Sequence, residues 1–210
     1  MNNKKKNLTI ASIASIATIT IIMAFVADNQ IEAENINLAR APPARELSMW
    51  GENATSFDDA KKIVGFSTIN IPSTIPTGLT LKNIRVLQNE DKSFKLLTLI
   101  YAPEEVSTTD RDTFEDVMEN GGMFALYSYE KTGTSFSWDK WSREFASENP
   151  SMRKVTPLDG RQAVVVNGDV AKNLNTQVFI HSNSDDTMLN LVSLMHDETE
   201  LLSSVKSTLP

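Results

Sequence analysis

The uncharged run from Leu8 to Ala27 constrains this 210-residue chain more than any other feature. At a helical rise of 1.5 Å per residue, about 20 residues span roughly 30 Å, which is the thickness of a bilayer's hydrocarbon core. The sequence therefore predicts a membrane anchor within residues 1–27. It also predicts that the chain after this anchor folds outside the lipid.

The charges that flank the run predict its orientation. Three lysines precede it and three acidic residues follow it, namely Lys4, Lys5 and Lys6 before it and Asp28, Glu32 and Glu34 after it. Positive charge concentrates on the cytoplasmic side of membrane segments. We therefore expect a single-pass protein of the cell membrane, with a cytoplasmic N-terminus and an extracytoplasmic C-terminal domain.

A cleaved signal peptide is the alternative interpretation of the same residues. Such a peptide has an apolar region of about 7 to 15 residues and small residues before its cleavage site. Cleavage after Ala27 would place Phe25 at a position that requires a small residue. The uncleaved anchor is favoured, although cleavage would give a secreted protein with the same domain.

The rest of the chain divides into a linker and one domain. Residues 28–56 are polar and contain Pro42 and Pro43, which end any extension of the anchor helix and indicate a flexible linker. Residues 57–210 are long enough for one ordinary domain. The chain has no cysteine, so this domain is stabilised by its core and not by disulfides.

Composition and motifs exclude several function classes. Removing the three N-terminal lysines from the net charge of −7 leaves −10, a charge that repels nucleic acid and anionic lipid headgroups.

No hydrolase elbow, zinc-protease pair, phosphate loop or dinucleotide fingerprint is present. The acidic residues around Arg111 lack the glycine and the glutamate of a calcium loop. The two histidines, His181 and His196, form no metal or catalytic pattern. The sequence thus predicts no enzyme, no cofactor and no metal.

Periodicity from residue 57 onward predicts an α+β fold, with an antiparallel, curved sheet and short helices packed on it. Ser56 and Asp59 approximate a capping box for the first helix, and a parity change near Asn83 predicts a β-bulge. Asn167 and Gly168 predict a tight hairpin turn. Helices are predicted at 57–64, 112–119, 138–148 and 197–209, and strands at 79–86, 94–101, 123–131, 163–166, 177–181 and 188–195. The last strand is apolar on both sides, as expected for a central position.

An aromatic group forms the one candidate binding surface, and it consists of Phe136, Trp138, Trp141 and Phe145. The last three fall at i, i+3 and i+7, so they share one face of the predicted helix. Such a stripe is typical of core packing. It is also compatible with a groove or a face that contacts a ligand, a partner or a membrane.

Several segments resemble a domain of unknown function. They are the helix end Val64-Gly65-Phe66, the segment IPSTIPTG at 71–78, the VVVNG strand end at 164–168 and the closing stretch 190–209. The resembling domain occurs in exported parts of membrane-anchored bacterial and archaeal proteins, some of them similar to anti-sigma factors or lipoprotein-sorting proteins. The resemblance implies a fold and a location, and it supplies no catalytic residue.

Two functional hypotheses follow from these observations. The first is a membrane-tethered extracytoplasmic interaction or sensory module without enzymatic activity, which would act with another membrane or exported protein. The second is an extracytoplasmic binding protein or carrier for a lipid or another apolar ligand, held beneath the aromatic helix. An unrecognised hydrolase is a third class, which would require a strongly perturbed histidine or carboxylate pair in a cleft.

Overall fold

Eight antiparallel strands form one sheet in the computed structural model, which describes residues 51–88, 94–106, 122–132, 135–172, 174–182 and 186–208. The strands are β1 (Glu52–Asn53), β2 (Thr80–Gln88), β3 (Lys95–Ala102), β4 (Ala125–Lys131), β5 (Arg153–Leu158), β6 (Arg161–Val166), β7 (Thr176–Ser182) and β8 (Thr187–Ser193). Their order across the sheet is β1-β2-β3-β4-β8-β7-β6-β5. The α+β class and the antiparallel sheet are confirmed, whereas the predicted anchor and the predicted helix at 112–119 lie outside the described residues.

Three α-helices accompany the sheet in the described ranges. They are α1 (Phe57–Val64), α2 (Trp138–Glu148) and α3 (Glu198–Lys206). The Ser56 hydroxyl caps α1 by accepting the backbone N–H of Asp59, as the sequence predicts, and Asp197 caps α3 in the same way. The helix predicted at 138–148 has the bounds of α2.

The sheet consists of two meanders that meet at its centre. Strands β1 to β4 form one meander and β5 to β8 form the other, and β4 pairs with β8 between them. A register shift between Leu81 and Asn83 confirms the predicted bulge in β2. The central position predicted for the strand at 188–195 is also confirmed, because β8 has a hydrogen-bonded neighbour on each side.

The first face of the sheet carries the larger core. Tyr127 and Tyr129 of β4 lie in this core with Leu191 of β8, and all three are at most 1% exposed. Helices α1 and α3 cover this face with buried apolar residues such as Val64 and Leu201. The spacing of Phe57, Ala60, Ile63 and Val64 predicts that they share one apolar face of α1. Ile63 is 49% exposed instead, because the buried face of this short helix is centred on Ala60 and Val64.

The second face carries Ile100, Phe124 and Leu194, with Leu126 packed against them. The alternation in residues 123–131 predicts Tyr127 and Tyr129 on one side of the strand and Phe124 and Leu126 on the other, and this division is confirmed. Helix α2 lies on the β5 side of this second face, where Phe145 contacts Phe179 of β7. The aromatic helix and the two other helices thus cover opposite faces of the sheet.

The hairpin turn predicted at Asn167 and Gly168 is wrong. The chain continues through an isolated bridge between Asp169 and Leu174 before β7 begins at Thr176. A Cβ atom at Gly168 would lie 2.4 Å from the carbonyl oxygen of Leu174, so this glycine permits a close backbone approach. The glycine is thus needed for packing between two backbones and not for a two-residue turn.

The tight turn of this region lies instead between β5 and β6, a hairpin that the sequence analysis missed. Asp159 and Gly160 connect these strands with φ angles of 53° and 77°. Two positive φ values are the signature of a type I′ turn, for which Asp-Gly is a preferred pair. The sequence contained this signal in the Asp-Gly pair, and β5 accommodates Pro157 because it is an edge strand.

Two findings concern the segments before the domain. Glu52 and Asn53, at the end of the predicted linker, pair with β2, and the Arg85 side chain donates to the Asn53 side chain and to the Gly51 carbonyl. Among the described residues, none of the helices has the length and apolar character needed to cross a bilayer. The predicted anchor itself is outside the ranges in which this was assessed.

A truncation in β8 tests the central position of this strand. We expect Leu191→Ala to lower the free energy of unfolding by about 2–5 kcal/mol, because Leu191 is 0% exposed and its loss leaves a cavity. Urea denaturation of the full-length chain measures this change. Ile63→Ala is the control and should cost less than about 0.5 kcal/mol. Equal losses in both variants would contradict the described core.

Candidate functional site

The four aromatic residues singled out in the sequence form one cluster at α2. Trp141 stacks on Phe145 with 4.9 Å between ring centroids, and Trp138 lies 5.1 Å from Trp141. Phe136 precedes the helix and lies 6.2 Å from Trp141. The predicted common helical face is therefore confirmed, and Phe136 joins it from the preceding loop.

Exposure changes along this cluster. Phe145 is 3% exposed, and both Phe145 and Trp141 contact Phe179 of the sheet at 5.6 Å. Trp138 and Phe136 are half-buried. The end of the cluster around Phe145 is core, while the end around Trp138 borders solvent.

Arg153 anchors the core end of α2. Its guanidinium lies 4.0 Å from the centre of the Phe145 ring and donates to the Phe145 carbonyl and to the Glu148 carboxylate. Because Arg153 is only 4% exposed, these interactions form in a partly desolvated environment, where a cation–π contact is strong. The last turn of α2 is therefore fixed to edge strand β5.

His181 belongs to the exposed end of the aromatic cluster. Its ring lies 5.2 Å from Phe136 and is stacked 6.0 Å from Trp138. Thr132 donates its hydroxyl proton to the Asp186 carbonyl, so its oxygen accepts from Nε2 of His181 at 3.0 Å. This contact joins residues more than forty positions apart, and no spacing in the sequence indicated it.

A groove opens beside Trp138 and His181, with a volume of about 640 Å³. It is bordered by the start of α2, by the β5–β6 hairpin and by the end of β7. Its lining residues are Trp138, Asp139, Pro157, Gly160, Arg161, Gln162, His181 and Ser182. Sequence analysis identified only Trp138 as a candidate among them, because the groove combines residues of a helix, a hairpin and a strand that are distant in the sequence.

Strand alternation shows which of these side chains lie on the α2 face. Arg161 has the parity of Ala163, which belongs to the core on the first face, and Gln162 has the opposite parity. Gln162 therefore shares the second face with His181 and with α2. Arg161 and Ser182 have first-face positions at the ends of their strands, and they border the groove from there.

The groove presents groups that can make hydrogen bonds and stacking contacts with a ligand. It presents an exposed amide at Gln162, an exposed carboxylate at Asp139 and the indole of Trp138. In the part of the chain that the structure describes, no group of three His, Cys, Asp or Glu residues could hold a metal ion. These groups can donate and accept hydrogen bonds and stack on a ligand.

A second histidine makes a serine contact that resembles a catalytic pair, but it is buried. Nδ1 of His196 lies 2.6 Å from the Ser193 hydroxyl, and its Nε2 donates to the Thr77 carbonyl. Ser193 donates its own proton to the Phe124 carbonyl and is 0% exposed. No substrate can reach this serine, so the pair holds β8 to the segment before β2. The position of His196 at the start of the predicted last helix indicates a cap or a solvated side chain, and this prediction is wrong because His196 is buried.

Glu130 of β4 is an ionisable residue that is buried on the second face. It is 3% exposed, and Leu96 and Met188 are its cross-strand neighbours. Within the described ranges, its Oε2 atom has no hydrogen-bond partner, and neither has Oδ1 of the nearby Asn190. Burial in this apolar environment raises the pKa of Glu130 to about 8.

Alanine substitutions should separate the two ends of the aromatic cluster. We expect Phe145→Ala to lower the free energy of unfolding by about 3–5 kcal/mol, since this ring is buried and supports Arg153. Trp138→Ala should cost about 1 kcal/mol, because its indole is partly exposed. Thermal unfolding followed by circular dichroism measures both, and a larger loss for Trp138→Ala would refute the assignment of core and rim.

The raised pKa of Glu130 predicts a pH-dependent stability. A carboxyl group with a folded-state pKa of about 8 favours the folded state most at pH values below its unfolded-state pKa near 4.5. Stability should therefore fall by about 1.4 kcal/mol per unit as the pH rises from 4.5 towards 8. Urea denaturation across this range should show the slope in the native chain.

Two glutamine variants serve as a matched pair for this experiment. Glu130→Gln should remove the slope because the amide stays neutral at every pH. Glu144→Gln should keep it, because Glu144 is an exposed residue of α2 that forms only a surface ion pair with Lys140. Parallel pH profiles for the native chain and Glu130→Gln would rule out Glu130 as the source.

Comparison of the chain with protein-family models, curated proteins and solved structures found no match. The resemblance to the exported domain of unknown function stays a prediction. The groove is therefore interpreted from its own residues.

Proposed function

We propose that this chain is a membrane-tethered extracytoplasmic interaction or sensory module that binds a ligand or partner without catalysing a reaction. The observation that carries the proposal is the groove beside Trp138, which combines an aromatic side chain with exposed hydrogen-bonding groups. Sites of this kind orient a ligand by a few polar contacts on an otherwise apolar base.

The sequence supports the location in this proposal. The apolar run at 8–27, the lysines before it and the polar residues that follow it support an anchor and a tether. A domain on a flexible linker of this length would act on the order of 30 Å from the membrane surface.

The arrangement of the histidines supports binding over hydrolysis. His181 is engaged with Thr132 through Nε2, and His196 is enclosed between Ser193 and Thr77. A general base has to lie within hydrogen-bond reach of a reacting group that substrate can approach. His196 fails this requirement because its serine neighbour is completely buried.

Packing under α2 favours the interaction module over the alternative, a carrier for a lipid or another apolar ligand. Trp141, Phe145 and Phe179 contact one another at 4.9–5.6 Å, so their rings occupy the space between this helix and the sheet. An acyl chain needs an apolar cavity, whereas the groove at the other end of α2 presents polar groups as well.

Cysteine labelling tests the proposed topology cleanly because the chain has no native cysteine. Asn3→Cys and Ser147→Cys each introduce one thiol, and Ser147 is exposed on α2. In intact cells, a membrane-impermeant maleimide should label the thiol at 147 and should label the thiol at 3 only after lysis. The reverse pattern would contradict the proposal. If the mature chain lacks the thiol at 3, the N-terminal segment has been cleaved, and the protein is a secreted module and not a tethered one.

A further inference from the structure

The groove beside α2 has the size of a small-ligand site and a mixed lining. Its volume of about 640 Å³ falls within the range of roughly 300–1,000 Å³ that such sites occupy. Trp138 and Pro157 supply apolar surface, while Asp139 and Gln162 supply hydrogen-bonding groups. The side chains of Asp139 and Gln162 make no hydrogen bond or ion pair with the described part of the chain, so both are available to a ligand.

The charge of the groove favours a neutral ligand. Asp139 and Arg161 are its formally charged lining residues, with His181 counted as neutral, and their charges offset one another. A phosphorylated ligand is usually held by several cationic side chains, in bidentate geometry where they are arginines. An acyl chain would cover the carboxylate and the amide without giving them hydrogen-bond partners, at a cost in free energy.

Trp138 borders the groove with an indole ring whose orientation is already fixed. Its ring is held by Trp141 at 5.1 Å and by His181 at 6.0 Å, and it remains partly exposed at the groove. A rigid aromatic side chain binds with little loss of conformational entropy. Sugar rings match such a surface, because they present a face of C–H groups with hydroxyl groups around the edge.

We propose that this groove binds a short neutral saccharide, with the sugar ring on Trp138 and its hydroxyl groups bonded to Asp139 and Gln162. The inference rests on the proposed function, and it assigns a ligand class to the same site. Asp139 accepts hydrogen bonds from hydroxyl groups, and the Gln162 amide both donates and accepts them. The two residues therefore complement a ligand whose polar groups are hydroxyls.

The test is a calorimetric titration of the full-length chain in phosphatidylcholine nanodiscs, which contain no sugar. The probes are maltotriose, cellotriose and chitotriose, each taken to about 10 mM, a concentration that nearly saturates a site with a Kd of 1 mM. Decanoate and a proline-rich nonapeptide are the comparison ligands. We expect at least one trisaccharide to bind and neither comparison ligand to do so.

Four variants locate the site. Asp139→Asn and Gln162→Ala should each weaken trisaccharide binding about tenfold, the effect of one lost hydrogen bond. Gln162→Trp should abolish binding by filling the groove, and it should leave the fold intact because Gln162 is exposed. Glu144→Gln, on the outer side of α2, is the matched control and should leave binding unchanged.

The outcomes separate the ligand class from the proposed function. Binding of no trisaccharide, or binding that Gln162→Trp leaves unchanged, overturns the saccharide assignment. Binding of decanoate or the nonapeptide that Gln162→Trp removes also overturns it, while the groove stays a binding site. The labelling experiment decides the topology separately, so a reversed orientation would overturn the proposed function even if a trisaccharide binds.

Discussion

The pairing of β4 with β8 is the interaction on which the rest of the structure depends. Among the described strands it is the one pairing that joins the two meanders, through a register that runs from Ala125 with Ser193 to Lys131 with Thr187. Because side chains alternate between faces, a slip of one residue would move Tyr127 from the larger core to the opposite face. The cores on the two faces are thus fixed by the same set of backbone hydrogen bonds, formed between segments about sixty residues apart.

The same pairing contains a buried ionisable residue, Glu130. Glu130 lies in β4 between Leu96 and Met188, and an ionised carboxylate there would lack both water and a counter-ion. The protein avoids much of this cost because the raised pKa keeps the group largely protonated at neutral pH. The stability of the fold should therefore depend on the protonation of this residue near the centre of the sheet. The groove lies nearer the β5 edge of the sheet, where the polar groups of Asp139 and Gln162 are exposed to water.

Local patterns predicted the elements well, and they failed where distant segments meet. The aromatic spacing in α2 and the cap at Ser56 depend on neighbours within one helix, so the sequence alone was sufficient. Gly168 was misread because its requirement comes from the backbone at Leu174. The hairpin between β5 and β6 was missed although Asp159 and Gly160 form a local turn signal. The groove could not be predicted for the same reason, since a helix start, a hairpin and a strand end form it together. Only Trp138 carried a local signal.

The packing of α2 also bears on how such a module would act. Arg153 fixes the last turn of the helix, Phe145 and Trp141 fill the space above Phe179, and Trp138 is held at the groove by these rings. A groove whose aromatic wall is held in place by the core is formed before a ligand arrives, so binding requires little ordering. A sensor, by contrast, needs two states that the ligand binds with different affinity. Within the proposed function, the described packing therefore favours an interaction role, in which the groove holds its ligand and the linker sets its distance from the membrane.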